Sequence, residues 1–426
     1  MSKFQFILLV VFGAFILIAV MLFSFSKGSG TSSYTVSIWG DISSNDFNDL
    51  IYLAGLNTNK EININYTEIP EGDIDVELTE ALAEGRAPDV VLMPIEDLWK
   101  NRNKLTLIPF ETINEEDYKN TFMEAGELFL SPGGIYALPL TVDPMVLYWN
   151  RDHLTKASLP KPPQYWDEIY KYAEALSEKD GAGNLIKSAI TLGESNNIPH
   201  SKEIMSLLML QAGSPITEIS RDELRAKISD KFDYTIVPGE AALDFYTQFA
   251  NPSKPFYSWN RALSPAATTF SAGDVSMYLG FASELKELKA KNPNLNIGIS
   301  AVPQSRVSGR SVTFGKIKGL AVVRTSNNKE ASLSAIKLLV TKDLSEKLST
   351  ILSLPPVRRD LLTKRPADAI MSVFYTAALQ TKNWIDPDSL ESDVIFRDMI
   401  NSVTSGNARI QESVARANRE LDSIIK

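Results

Sequence analysis

The chain contains no cysteine and only two histidines, His153 and His200, in 426 residues. The first absence excludes disulfides, thiol nucleophiles, iron–sulfur clusters and zinc sites built on thiolates. Two histidines far apart in sequence leave no basis for a His-rich metal centre, so no metal and no cofactor is expected. No run of lysine and arginine offsets the 52 acidic residues, and the net charge is −9, which argues against nucleic acid as a partner. Phosphate-cradling loops of the type G-x-x-x-x-G-K-[ST] are missing, as is a G-x-G-x-x-G after a strand. Gly181-Ala182-Gly183 follows a helical stretch and reads as a turn. No G-x-S-x-G elbow is present, and His153 beside Asp152 reads as part of a polar turn. The acidic group Glu71, Asp73, Asp75, Glu77 reads as a solvated helix entrance, and Glu115, Glu116 and Asp117 as the charged start of a helix. No pair of carboxylates at successive strand ends, flanked by aromatics, marks a glycosidase cleft.

Apolar residues make up 44% of the chain and charged residues 22%, a globular composition. The length suggests two domains rather than one core. The N-terminus is the clearest physical signal. From Phe4 to Ser26 there is no charge, and Phe6–Phe23 is apolar throughout. A helix over Phe6–Phe25 would be roughly 30 Å long, enough to cross a bilayer. Lys3 and the terminal amine orient that end toward the cytoplasm, with Lys27 on the far side. A cleaved signal peptide is the alternative, although Ser24-Phe25-Ser26 is a poor cleavage site. Either way the remainder is exported, and Ser24–Ser33 reads as a flexible tether.

Beyond the tether, strand and helix alternate. Strands are expected at Thr35–Trp39, Ile62–Tyr66 and Asp89–Met93, with helices over Asp46–Leu56 and Val76–Glu84 between them and Gly85 as a cap. This βαβαβ order predicts a parallel, doubly wound α/β sheet. Two further strands are expected at Tyr136–Leu140 and Val146–Trp149, separated by Asp143-Pro144. Helices follow over Trp166–Ser177, Lys202–Ala212 and Glu240–Phe249, then strands at Asn296–Val302 and Leu320–Val323. Ile410, Val414, Ala417, Leu421 and Ile424 form a helical stripe that reads as a packing face. Ligands in such folds sit at the carboxyl ends of strands, near the crevice between domains. That points to the loops Trp39–Ser43, Met93–Trp99 and Thr141–Pro144.

Four blocks, in this order, resemble the extracellular solute-binding protein family 1 typified by the maltose-binding protein. They are Ala83-Glu84-Gly85-Arg86-Ala87-Pro88-Asp89-Val90-Val91; Gly134–Leu140 with Leu147–Asp152; Pro162-Pro163-Gln164-Tyr165-Trp166-Asp167-Glu168; and Phe270–Met277. In the third block Tyr165 stands where threonine is usual. The resemblance runs from about Tyr34 to Lys426. It implies a two-lobe periplasmic-binding-protein fold of type II, with residues 34–141 and 316–365 in lobe 1 and 142–315 and 366–426 in lobe 2, preceded by the anchor and tether of residues 1–33. It further implies a monomeric receptor of an ABC importer, on the extracytoplasmic side of the cell membrane, which closes on a solute and delivers it to a permease. The lipidation cysteine of Gram-positive members is missing here, and the Phe6–Phe25 helix would substitute for it.

A sugar offers hydroxyls and apolar ring faces, so its site needs aromatic platforms flanked by carboxylates and amides. Trp39 and Asp41 follow the first strand, in a loop the family uses for polar contacts. Asp143 lies at the crossover, Trp259 and Asn260 in a Pro-flanked loop, Phe281 after the Gly280 turn, and Trp384 in the C-terminal segment. These seven are the expected ligand contacts, and core packing is the competing reading for each aromatic. Trp149 and Trp166 are expected in the core. A sugar or oligosaccharide is the favoured solute, with a polyamine, peptide or phosphodiester as alternatives. An exported glycoside-active enzyme, and a sensor or adhesin that kept the fold without a transporter, are the readings from other classes.

Overall fold

A computed structural model describes residues 16, 34–56, 62–220, 223–306 and 309–425. Apart from Ile16, the expected membrane helix and tether lie outside these residues. Among the described residues, no helix is long and apolar enough to cross a membrane.

The first part of the chain folds as its alternation predicts. Strands β1 (Tyr34–Gly40), β2 (Ile62–Glu68) and β3 (Val90–Pro94) run parallel in the order β2-β1-β3. Helices Ser44–Leu53 and Ile74–Glu84 connect them. The first helix starts at Ser43, whose hydroxyl accepts from the Asp46 N–H at 3.1 Å. The second ends at Gly85, whose φ of 71° is the left-handed geometry that glycine supplies without strain. Val36 and Ile38 are fully buried on one face of β1, and Val90–Met93 are buried throughout, as a strand covered on both faces must be.

Strand β4 (Leu138–Asn150) departs from expectation: it is one continuous strand of 13 residues, not two strands broken at Asp143-Pro144. The proline is tolerated because β4 changes partners there. Up to Pro144 it pairs with β8 (Thr313–Val322), and from Met145 onward with β6 (Val275–Phe281). The missing N–H of Pro144 therefore falls at the junction of two ladders. Strand β5 (Leu185–Ile190) joins β6 in parallel, and β7 (Ile297–Ser300) lines the other edge of β4. Strand β8 begins seven residues earlier than its apolar run, at Thr313 instead of Leu320. Gly315, Lys316, Lys318 and Gly319 hide it, being residues that strands rarely favour.

Two separate apolar cores result. One gathers Val36, Ile38, Leu92, Phe129, Leu138, Ile317 and Leu320, and the other Leu147, Tyr148, Met205, Trp259, Phe270, Phe396 and Leu421. The chain changes cores between Val142 and Met145, and again between Phe314 and Ile317. A third passage runs from Leu362 in the first core to Ile395 in the second by way of Thr381–Ile385, where Trp384 packs in the second core and Ile385 in the first. The three passages are tied together. Thr313 Oγ1 donates to the Met145 carbonyl at 2.9 Å, the Thr313 N–H to the Gln380 carbonyl at 3.0 Å, and Asn383 Nδ2 to the Gly315 carbonyl at 2.9 Å. The C-terminal stripe packs as read: Val414, Ala417 and Leu421 are buried in the second core.

Gly315 lets the third passage lie against β8, because a Cβ there would meet Thr381 Cγ2 at 2.6 Å and the Asp143 carbonyl at 3.3 Å. Gly315→Val is expected to lower stability by about 1–3 kcal/mol, read as an earlier urea midpoint. Adding Thr381→Ala should recover part of that loss. An unchanged midpoint in Gly315→Val would contradict this packing.

Candidate functional site

Each body carries parallel strands, β2-β1-β3 in one and β5-β6 in the other, and the antiparallel crossing strands β4 and β8 form the floor between them. Alternation on β8 decides what faces the crevice. Ile317 is buried in the first core, so Lys316 and Lys318 point together to the other side. Each finds carboxylates there. Lys318 Nζ is bonded to Asp41, at the end of β1, and lies 3.5 Å from Glu71. Lys316 Nζ lies 3.3 Å from Glu71 and 4.9 Å from the centre of the Phe281 ring. Burial pulls the Lys316 ammonium down, but Glu71, Glu203, Glu96 and Asp143 outweigh it and hold it above the usual lysine range. The two lysines in turn hold Glu71 below the usual carboxylate range.

Asp143 lies opposite Lys316 in the β4–β8 register, and its Oδ1 accepts from the Ser283 N–H at 3.0 Å. Burial pushes its carboxyl up to about 6, against the pull of that hydrogen bond. Glu96, in the loop after β3, is pushed up to about 7 by burial. Both retain some contact with solvent, as groups deep in a crevice do. Behind them Glu284 is fully engaged. Its Oε1 accepts from the Phe281 N–H at 2.6 Å and meets His200 Nε2 at 2.9 Å, and its Oε2 accepts from the Tyr278 hydroxyl at 2.6 Å. Burial opposes charge on His200, but the Glu284 bond prevails and raises the imidazole above its ordinary value. Lys202 is buried with Asp386 at 2.6 Å and Ser392 Oγ at 2.6 Å.

Of the seven residues expected from sequence, Asp41, Asp143 and Phe281 come together around Lys316 and Lys318. Trp39 is half-buried at the end of β1. Phe281 is 2% exposed and shows its ring to Lys316 and to the His200 edge. Trp384 is 3% exposed, stacks on Phe396 and donates its Nε1 to Ser206 Oγ at 3.1 Å. Trp259 has no exposed surface; it belongs to the second core and donates its Nε1 to Asn197 Oδ1 at 2.9 Å. Asn260 is held within its own loop, donating to the Tyr257 hydroxyl at 2.7 Å and accepting from the Ala262 N–H. Asp75, read as part of a solvated helix entrance, instead bridges Lys100 at 2.9 Å and Lys104 at 3.1 Å. The sequence reading did not single out Lys316, Lys318, Glu96, Glu203, His200 or Glu284. Two lysines at alternate positions between glycines, ahead of an apolar strand, were the available sign for the first pair.

Two α/β bodies joined by three crossing segments, with a charged crevice between them, define a bilobal binding protein. The model of the bacterial extracellular solute-binding proteins matches residues 52–372, and the chain belongs to that family. It is a binding protein and not an enzyme. A Brucella abortus (strain 2308) protein described as a binding protein is 23% identical over 308 residues, 71% of this chain and 70% of its own length. Among solved structures, the cyclic alpha-maltosyl-1,6-maltose binding protein of Arthrobacter globiformis superposes with a TM-score of 0.76 at 14% identity, over 93% of this chain and 100% of that one. A cyclo/maltodextrin-binding protein complexed with maltotetraose gives 0.74 at 15%, over 94% and 99%. The sugar-binding protein MalE of Xanthomonas citri gives 0.72 at 20%, over 92% and 97%. These likenesses establish the two-lobe fold.

The raised carboxyl of Glu96 has a measurable consequence. The folded chain keeps a proton there that the unfolded chain releases, so stability falls as pH rises between about 4.5 and about 7. Glu96→Gln is expected to raise the melting temperature at pH 7.5, by about 2–4 °C for each kcal/mol relieved, and to leave it unchanged at pH 4. The same shift at both pH values would contradict this origin.

Proposed function

We propose that this protein is the extracytoplasmic solute receptor of an ABC importer, held at the cell membrane by its N-terminal apolar segment. It captures a small polar solute, a carbohydrate by class, in the crevice between its lobes, which divide as 34–141 with 316–365 and 142–315 with 366–426. The observation that carries this reading is the convergence of Asp41, Glu71, Glu96, Asp143, Lys316 and Lys318 on the crossing strands and strand ends between two cores. Such groups form hydrogen bonds to hydroxyls and reject solutes that leave them unpaired. The sugars bound by the structural relatives support carbohydrate as the class. The family's extracellular description supports export, and the apolar run Phe6–Phe23 supports the anchor.

Capture proceeds by hinge closure. Three crossing segments allow the lobes to rotate, and a solute that touches both favours the closed arrangement by its extra contacts there. Asp41, Asp143 and Trp39 then supply contacts, while Phe281, Trp384 and Trp259 back the walls. The closed form is what a permease coupled to a cytoplasmic ATPase would recognise.

A thermal-shift screen of the full chain in mild detergent, against sugars, oligosaccharides, polyamines, amino acids and peptides, tests this. A binder at a hundredfold excess over its dissociation constant stabilises by about 2.7 kcal/mol, an easily read shift. Asp143→Ala is expected to weaken that binder about tenfold or more. Product formation from a chromogenic glycoside, or silence from every class, would contradict the receptor.

A further inference from the structure

The charges around the crevice do not balance. Five carboxylates, Asp41, Glu71, Glu96, Asp143 and Glu203, act on its two floor lysines, Lys316 and Lys318. Both lysines are already engaged, by Glu71 at 3.3 Å and 3.5 Å and by Asp41. Asp143 accepts from the Ser283 N–H at 3.0 Å, which leaves Glu96 and Glu203. Glu96 follows β3 in one lobe, and Glu203 lies in the first turn of helix Ser201–Ala212 in the other. Both act on the same two ammonium groups, Lys316 and Lys202. Yet Lys202 is bound to Asp386 and Ser392, and Glu203 Oε2 is buried without a hydrogen-bond partner.

Burying an acceptor without a donor costs free energy, which the nearby Lys316 and Lys202 ammonium groups offset without supplying the missing hydrogen bond. Of the four rings expected to stack on a sugar, Trp259, Phe281 and Trp384 are at most 3% exposed, and Trp39 alone is half-buried. Beyond Trp39, the wall thus offers carboxylate oxygens more than apolar platforms. A hydroxyl would fill a lone pair and leave the charge. An ammonium group fills it and neutralises it, through a charge-assisted bond roughly twice as strong as a neutral one.

We infer that the solute bears a protonated amine, received between Glu96 of one lobe and Glu203 of the other. This rests on the receptor reading above and adds a charge to its solute, within the carbohydrates for an amino sugar and outside them for a polyamine. The amine is brought either by an amino sugar or by a polyamine. In both cases it spans the lobes and so rewards closure directly.

Calorimetric titration of the full chain tests it with D-glucosamine and its β-1,4 disaccharide, their N-acetylated and hydroxyl counterparts, putrescine and spermidine. The amine-bearing members are expected to bind at least about tenfold more tightly than their neutral counterparts. Which arm responds identifies an amino sugar or a polyamine as the source. Glu203→Gln and Glu96→Gln keep shape and an acceptor. Each should remove about tenfold from the amine, weaken the amine by more than it weakens the neutral counterpart, and unfold no earlier than the parent. Neutral counterparts that bind as tightly, or amine binding that survives both substitutions, overturn the inference and leave the receptor standing. Silence from every member, together with silence in the wider screen, overturns both.

Discussion

The antiparallel pairing of β4 with β8 is the constraint on which the rest of the molecule depends. Both strands start in one core and end in the other, so their shared ladder is at once wall and floor. Because side chains alternate along a strand, placing Ile317 in the first core fixes Lys316 and Lys318 in the crevice. The same ladder sets Asp143 opposite Lys316 and lets Pro144 fall where β4 exchanges one partner for another. A one-residue slip would invert all of these at once. The bonds from Thr313 and Asn383 bring the third passage into the same register.

Much of the fold was legible because its signals are local. Alternating Val36 and Ile38, the helical stripe ending at Leu421 and the glycine cap at Gly85 each report their own element. The order strand–helix–strand then dictates a parallel sheet. The site was legible only in part. Asp41 and Asp143 lie beside strand ends or a proline, where a sequence reading naturally looks. Lys316 and Lys318 do not, since their meaning depends on which face of β8 is covered by a core assembled from distant segments. Trp259 illustrates the reverse. A tryptophan in a polar, Pro-flanked loop suggests a platform, but Asn197, 62 residues away, accepts its Nε1 and the second core closes over it. Tertiary packing, not local sequence, decided its place.

Electrostatics joins the two levels. Carboxylates after the strands of one lobe and from a helix of the other are drawn to a floor that carries fewer positive charges than they require. Glu96 and Asp143 are consequently held where ionisation is resisted, and Glu284 is satisfied by His200, Tyr278 and the Phe281 backbone. A crevice of this kind is ready for a polar solute: its groups are positioned before binding and lack only their last partners. In the proposed receptor, preorganisation of that sort would convert binding directly into preference for the closed lobes.

Closure on a solute is the central claim, and the distance between lobes tests it most directly. The chain has no cysteine, so Glu80→Cys on lobe 1 and Lys286→Cys on lobe 2 create the sole pair available to spin labels. Electron–electron double resonance would compare that distance with and without a saturating solute. The account predicts a shift of the distribution when solute is added, together with narrowing. A distribution that stays the same at full occupancy would contradict capture by hinge closure.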